Sequence, residues 1–165
     1  MPATTKTPLG ASTTNRKYYL DVNSTPDGAP TWLPVCGVME FQDAHDLTLR
    51  DDSDFDSDGY QSQTKTAEAW SVVVKLARKV TAADATVYDP GQELLRAKGI
   101  GHMGPSNSVA IRYYEMEEDG PREEAYAGTA AVQWSPDGGD MTALSTVTCT
   151  LTGQGRLVAI AHPDA

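Results

Sequence analysis

Five carboxylates lie within eight positions of this 165-residue chain, and they restrict its fold more than any other feature. The segment at residues 50–70, RDDSDFDSDGYQSQTKTAEAW, contains Asp51, Asp52, Asp54, Asp56 and Asp58. Like charges at this density repel one another, so the segment is not ordinary core. It must hold a cation, stay mobile, or wait for a partner surface.

A calcium site is one interpretation of the acidic run. Residues 54–59, DFDSDG, fit the first six positions of an EF-hand loop. The twelfth position, which needs a bidentate Glu, is the cation Lys65, and the flanking sequence lacks two helical faces. An intact EF-hand is therefore disfavoured. An irregular cation site on residues 51–58 and a solvated acidic loop both remain open.

The rest of the chain predicts one domain without a membrane segment. At 165 residues the chain is long enough to bury a sizeable core. The first fifteen residues are polar and Thr-rich, which predicts a flexible N-terminal arm at 1–15 and no signal peptide. No apolar run reaches the length of a membrane span, so we expect a protein made and folded in a cytoplasm.

Catalytic and metal-binding motifs are missing from the sequence. Cys36 and Cys149 are far apart, which predicts two small buried hydrophobic residues rather than a disulfide. The three histidines are scattered, and no HExxH, GxSxG, P-loop or zinc spacing occurs. We therefore predict a protein that is not an enzyme and that needs no cofactor or metal.

The net charge of −10 is concentrated in two segments. Residues 42–60 carry a net charge of −6 and residues 115–124 carry −5, which leaves a body of about +1. Nucleic-acid binding needs a basic stripe, so this distribution disfavours it. Two acidic segments would suit a surface that repels polyanions.

Alternating apolar residues predict a mainly β fold. Residues 70–78 form the clearest strand, with Trp70, Val72, Val74 and Leu76 on one face as predicted core. One short helix is predicted at about 90–98, with Asp89 as its cap. The other predicted strands are 17–22, 32–41, 108–116, 125–134, 142–152 and 156–161. The predicted architecture is a β-sandwich or barrel of about seven strands, a single domain at 16–162.

A long acidic loop is predicted at 42–68, between the second and third strands. Loops of this length in compact domains are usually functional or disordered. The local net charge and the length of this segment lead us to expect a loop that is disordered in the free subunit.

With these elements placed, the chain resembles the tail tube proteins of long, non-contractile-tailed bacteriophages, particularly those of actinobacterial hosts. The resemblance runs from about residue 16 to 155. It rests on KYYLDV at 17–22, on Trp32, Val35 and Gly37, on DDSDFDSDGY leading to Trp70, on VYDPGQELLR at 87–96, and on TLTGQG at 150–155.

The resemblance implies a structural virion protein that assembles into six-subunit rings. The rings would stack into a hollow tail tube around a tape-measure protein, with tail terminator and distal tail proteins as further partners. DNA would pass through the lumen without specific binding, and a ring of six chains would carry −60. Asp51, Asp52, Asp54, Asp56, Asp58 and Lys65 would then form an inter-subunit or inter-ring loop. Cations of an adjacent subunit, such as Lys75, Arg78 or Lys79, would offset the repulsion between its carboxylates.

Several alternatives remain open on the sequence alone. The inner tube protein of a contractile or secreted injection device would share the fold, and a calcium-binding β-domain belongs to a different class. Strands 32–41, 70–79, 108–116 and 125–134 are candidates for a sheet shared between subunits. The small uncharged face of Ala125, Ala127, Thr129, Ala131 and Gln133 would line the lumen, contact a neighbour, or pack inside one subunit.

Overall fold

The computed structural model describes residues 3–164. Seven strands and one α-helix follow one another as β1 (Tyr18–Asn23), β2 (Trp32–Pro34), β3 (Val38–Asp51), β4 (Gln63–Ala77), α1 (Pro90–Gly99), β5 (Ser108–Glu115), β6 (Ala125–Pro136) and β7 (Thr146–Ala159). Two 3-10 helices, Asn15–Lys17 and Gly104–Asn107, precede β1 and β5. The predicted mainly β fold with about seven strands and one short helix is confirmed.

All seven strands belong to one antiparallel sheet with the order β2-β1-β5-β6-β7-β4-β3. The strands at its two ends, β2 and β3, are consecutive in the chain, and only residues 35–37 separate them. The sheet therefore curls until its ends approach, and the rings of Tyr18 on β1 and Phe41 on β3 stack with centroids 4.7 Å apart. We call the gap between β1 and β3 the seam.

The inward face of the curled sheet forms a single hydrophobic core. Side chains alternate along each strand, so every second residue points inward. Trp70, Val72, Val74 and Leu76 on β4 are all buried in this core. Their largest fully buried neighbours are Leu20, Leu95, Ile111, Tyr113 and Leu151.

Helix α1 closes the core beside the connection from β2 to β3. The Asp89 carboxylate accepts a hydrogen bond from the Gln92 N–H at 3.0 Å and caps the helix. Leu95 is fully buried against the core. The buried Gln92 amide donates to the carbonyls of Cys36 at 2.7 Å and Ala77 at 3.0 Å, which ties the helix to that connection and to the end of β4.

Two predicted strand boundaries differ from the structure. The predicted strand 32–41 is two strands, because the chain breaks at residues 35–37, where Gly37 adopts a φ of +77°. The predicted strands 142–152 and 156–161 are one strand, β7. The turn predicted at 150–155 is a bulge inside β7, where pairing with β6 shifts between Ala127 and Thr129.

The acidic loop predicted at 42–68 is largely a β-ribbon. Strands β3 and β4 pair from Gln42↔Val73 to Asp51↔Gln63, so only residues 52–62 lie outside the two strands. The ladder forms because LTLR separates Asp46 from Asp51, and the opposite strand is rich in β-branched Thr. The densest charge is thereby confined to the turn.

Residues 3–14 lie outside every helix and strand and are exposed. That the arm at 1–15 is flexible stays a prediction, and residues 1–2 lie outside the described residues. Cys149 is buried, whereas Cys36 is free and exposed, so the prediction of two buried cysteines was wrong for Cys36. Its position in the turn between β2 and β3 keeps it at the surface. Within residues 3–164, no helix has the length and apolar character needed to cross a bilayer.

Candidate functional site

A two-stranded ribbon projects from the sheet at one end of the molecule. Strand β4 pairs with β7 only as far as Ser71↔Thr152, so before Trp70 its one partner is β3. Residues 46–69 are exposed except for Ser57, which is half-buried. We call residues 46–69 the arm and residues 52–62 its tip. A ribbon that buries almost nothing within the subunit presents both faces for a partner.

Trp70 anchors the arm where β4 leaves β7. Its indole N–H donates to the Gly155 carbonyl at 2.9 Å, and the side chain is buried. A Cβ at Gly153 would lie 2.3 Å from the indole ring, and one at Gly128 would lie 2.6 Å from it. These two glycines of the β6–β7 bulge therefore make the space that the indole ring fills.

Two of the tip carboxylates, those of Asp52 and Asp54, accept hydrogen bonds from nearby hydroxyl and N–H groups. Asp54 accepts hydrogen bonds from the Ser57 hydroxyl at 2.9 Å and the Asp56 N–H at 3.1 Å. Asp58 adopts a φ of +51° and, with Gly59, turns the chain back toward β4. The tip is thus a turn stabilised by hydrogen bonds within its own residues.

Hydrogen bonds also stabilise the charged forms of the first two carboxylates. Hydrogen bonds from Ser53 hold the pKa of Asp51 below its ordinary value. Hydrogen bonds from Thr64 and then Ser62 do the same for the pKa of Asp52. Within residues 3–164, no three His, Cys, Asp or Glu side chains are placed to hold a metal ion. The hydrogen bonds therefore favour the charged forms of Asp51 and Asp52.

Lys65, predicted as part of the inter-subunit loop, is engaged within its own arm. Its ammonium group forms an ion pair with Glu68. Glu68 also contacts His45 Nδ1 at 3.1 Å on the opposite strand. The pKa of Glu68 is lowered, first by the hydrogen bond from Lys65. Lys65 therefore offsets arm charge locally and leaves the five aspartates uncompensated.

Sequence reasoning overlooked the apolar side chains of the arm. Phe55 at the tip is fully exposed, and Tyr60 is 80% exposed. Leu47 and Leu49 on β3 are about half exposed. Large apolar groups this exposed on a folded ribbon are typical of a contact surface. Their position inside an acidic segment was the available signal, since solvated loops rarely need Phe or Leu.

The outward face of β6, and of β7 from Thr146 to Gln154, carries no charge, and the exposed cation Arg156 follows it on β7. Gln133 stands beside Thr150, and Ala131 beside Thr152. The predicted small face is found here except for Ala125, which is buried where its carbonyl accepts the Ile160 N–H. The face consists of Ala127, Thr129, Ala131, Gln133, Thr148, Thr150, Thr152 and Gln154. A wide, flat surface of small uncharged side chains faces away from the core.

Three cations were predicted to receive the arm of a neighbour. Arg78 does not fit this role, because its guanidinium pairs with Glu93 at 2.6 Å and stacks on the Tyr88 ring at 3.9 Å. Lys79 is exposed and Lys75 is half-buried, so both remain available for that role.

The two ends of the subunit differ in charge. The arm and the loop at 116–124 leave the sheet at the same end, because β4 begins, β5 ends and β6 begins there. Residues 38–69 carry −7 and residues 115–124 carry −5, whereas residues 70–107 carry +2. One end is therefore strongly acidic, and the elements at the other end are close to neutral.

No protein-family profile and no curated protein matches this chain in sequence.

Solved structures do match the fold. A chain in the virion of a native gene transfer agent particle superposes with a TM-score of 0.62 at 10% identity, over 91% of this chain and 100% of that one. A chain in the tail of an empty gene transfer agent particle, refined with helical C6 symmetry, gives 0.63 at 12% identity over 91% and 100%. A chain in the six-fold symmetrised baseplate of the anti-feeding prophage gives 0.57 at 11% identity over 92% and 98%.

The chain shares the fold of these tail and baseplate components. The shared region covers nearly the whole chain and essentially the whole of each matched chain. At 10–12% identity the likeness concerns the fold and not individual side chains.

Proposed function

We propose that this protein is a structural tail tube protein that self-assembles into stacked six-subunit rings. The observation that carries the proposal is the fold match over 91% of the chain to a component of a C6-symmetric tail. The exposed arm supports it, because a ribbon with free apolar groups needs a partner surface. The protein has a structural role in the virion and is not an enzyme.

Subunits join within a ring through open sheet edges. β3 is an edge strand of 14 residues with a partner on one side only, and such an edge templates pairing with another chain. The uncharged face of β6 and β7 lines the lumen. DNA passes such a surface without binding, since phosphate capture requires Lys and Arg side chains that release counterions.

Rings stack head to tail through the arm. The strongly acidic end of one subunit faces the nearly neutral opposite end of the next, which avoids like-charge contact. A heterologous contact of this kind extends along an axis rather than closing on itself. Phe55 and Tyr60 provide the apolar contact, and Lys75 and Lys79 of the next ring offset the tip carboxylates.

We propose that the assembly is the tail tube of a long, non-contractile phage tail of the actinobacterial type. Its partners would be a tape-measure protein, a tail terminator and a distal tail protein. The match to an anti-feeding prophage baseplate favours a second candidate, the inner tube of a contractile or secreted injection device. A calcium-binding role gains nothing from the tip, because the Asp52 and Asp54 carboxylates are bonded to hydroxyl and N–H groups and no three candidate ligands among residues 3–164 are placed to hold a metal ion.

Electron microscopy of the purified full chain tests the proposal. Samples are concentrated in steps, and negative stain is compared with sedimentation velocity at each step. We expect six-fold rings and then tubes as concentration rises. A protein that remains a dispersed monomer at millimolar concentration and low salt would exclude the tube function.

A further inference from the structure

The seam between β1 and β3 is a groove with a free strand edge on each side. β2 pairs with β1 only at Asp21 to Asn23, and the Val35 N–H adds one bond to the Leu20 carbonyl. The remainder of that edge, at Tyr18 and Tyr19, therefore has no neighbouring strand among residues 3–164. β3 forms the facing wall and pairs only with β4.

The groove has the size and lining of a peptide site. Its volume is about 540 Å³. Much of its lining is apolar, and Met39 on its β3 wall is 57% exposed. The apolar lining residues include Leu20, Pro34, Val35, Val38, Met39 and Phe41. An extended segment added to a free strand edge gains main-chain hydrogen bonds, and pockets for alternate side chains give specificity.

The N-terminal arm has the properties of the occupant. Residues 3–14, ATTKTPLGASTT, are exposed, and Leu9 is 97% exposed. Five threonines favour an extended strand. The charges are complementary: residues 3–14 carry Lys6 without an acid, whereas the β3 segment at 38–46 carries three acids and no Lys or Arg.

The geometry favours the N-terminal arm of another copy, residues 3–14, over the chain's own N-terminal arm. Asn15 and Arg16 line the rim of the groove. To enter the groove, a chain's own N-terminal arm would therefore have to reverse direction within the 3-10 helix at Asn15–Lys17. Twelve extended residues span about 40 Å, which is enough to reach an adjacent subunit. We propose that residues 3–14 of a second copy lie in the seam as an added strand. The proposal rests on the self-assembly proposed above.

Cys36 provides a native probe, because it lines the groove and is exposed while Cys149 is buried. One copy carries Leu9→Cys and Cys36→Ser, and the other is the wild-type chain with a size tag. Only contact between copies can then join position 9 to Cys36. The control replaces Leu9→Cys with Leu144→Cys, since Leu144 is 86% exposed and lies in the loop between β6 and β7, outside the N-terminal arm.

Desolvation and the hydrogen bond to Asp89 raise the pKa of the Cys36 thiol, so the mixture is oxidised at alkaline pH. We expect the mixed disulfide of the Leu9 variant to exceed that of the Leu144 control at least tenfold, and Thr7→Cys and Ala11→Cys serve as neighbouring positions. Mixed disulfides at control level for all three positions would overturn the inference. A disulfide formed only within single chains, in a variant retaining Cys36, would also overturn it.

Microscopy of the same mixtures separates this inference from the tube function. If tubes form without the mixed disulfide, the tube function is supported and the placement of the N-terminal arm in the seam is contradicted. If the mixed disulfide forms but the protein stays in dispersed dimers, the contact of the N-terminal arm with the seam is supported and the tube function is contradicted.

Discussion

At the scale of single residues, Trp70 shows how a turn-like sequence became part of a strand. GQG at 153–155 is typical of a turn, yet it forms a bulge that accommodates the indole ring. The requirement is steric, because the two glycines that approach the ring, Gly128 and Gly153, lie on different strands. A sequence cannot display this pairing, since the register that brings them together exists only in the folded sheet.

Gly153→Ala tests the Trp70 site. The added methyl group would meet the rigid indole ring at 2.3 Å, so we expect a loss of about 1–3 kcal/mol in the free energy of unfolding. Gly10→Ala is the control, because nothing lies within 4 Å of a Cβ there. Urea unfolding followed by Trp fluorescence measures both. Equal midpoints for the two variants would contradict this packing.

The β4 core face gives a second test at the residue scale. Leu76 is fully buried, and Leu76→Ala or Val74→Ala should cost about 1–4 kcal/mol through lost burial and a residual cavity. Leu49→Ala, on the exposed arm, should change stability by less than about 0.5 kcal/mol. Changes below about 0.5 kcal/mol for both core variants would show that the assigned face is wrong.

Glu115 makes acid stability testable. Burial raises the pKa of this carboxyl, but hydrogen bonds from Lys17 and from the Glu123 and Glu124 N–H groups outweigh burial and lower it. A lowered folded pKa gives stability that is present above the unfolded value of about 4.3 and is lost as pH falls through the folded value.

Glu115→Gln should therefore lose about 1–3 kcal/mol at pH 7 and show a shallower decline in stability below about pH 4.5. Glu118→Gln, at an exposed position of the same loop, should follow the wild-type curve. Urea midpoints across the acid range measure the difference. Parallel curves for wild type and Glu115→Gln would show that this carboxyl does not contribute to acid stability.

At the scale of elements, local pattern predicted most of the fold. The period-two runs of β4 and β5 and the Asp-Pro start of α1 are visible in the sequence, because each depends on neighbouring residues. The sequence analysis predicted a loop at 42–68 instead of the arm, because it considered the net charge of the whole segment and not the position of each charge. Along β3 and β4 most charged residues are separated by uncharged ones, and the tip holds four of the aspartates. The exposed Phe55 and Tyr60 could be suspected only from their position inside an acidic segment.

The tip carboxylates should matter for assembly and not for folding. Asp54→Asn, Asp56→Asn and Asp58→Asn together remove three exposed charges, so monomer stability should stay within about 0.5 kcal/mol. Tube growth should weaken, because the next ring loses its charge partners. Glu118→Gln, Asp119→Asn and Glu123→Gln change the net charge equally at the same end and should leave growth nearly unchanged. Turbidity or pelleting at several salt concentrations measures growth, and equal effects of the two sets would contradict a specific tip contact.

Amide hydrogen exchange separates the ribbon from its tip. We expect ladder amides near Trp70 to be protected in both monomer and tube, since β3 and β4 pair within one chain. Amides at 52–62 should become protected only in the tube, because ordering them needs a partner surface. Equal protection of the tip in both states would make it an ordinary folded part of the domain.

At the scale of the whole molecule, the uneven charge gives the subunit a direction. The acidic end carries both the arm and the loop at 116–124, so two subunits meeting at these ends would repel each other. Screening over about 10 Å at 0.1 M salt weakens this repulsion, so salt should relax the choice of orientation. In the proposed tube, this repulsion would favour head-to-tail over head-to-head contact between rings.

A helical cryo-electron microscopy reconstruction of the assembled protein tests the tube account most directly. The account predicts six-fold rings in which the tip around Phe55 contacts the next ring and the Thr150 and Ala131 face lines the lumen. Rings in which the tip contacts only its own ring, or a lumen lined by another face, would contradict it.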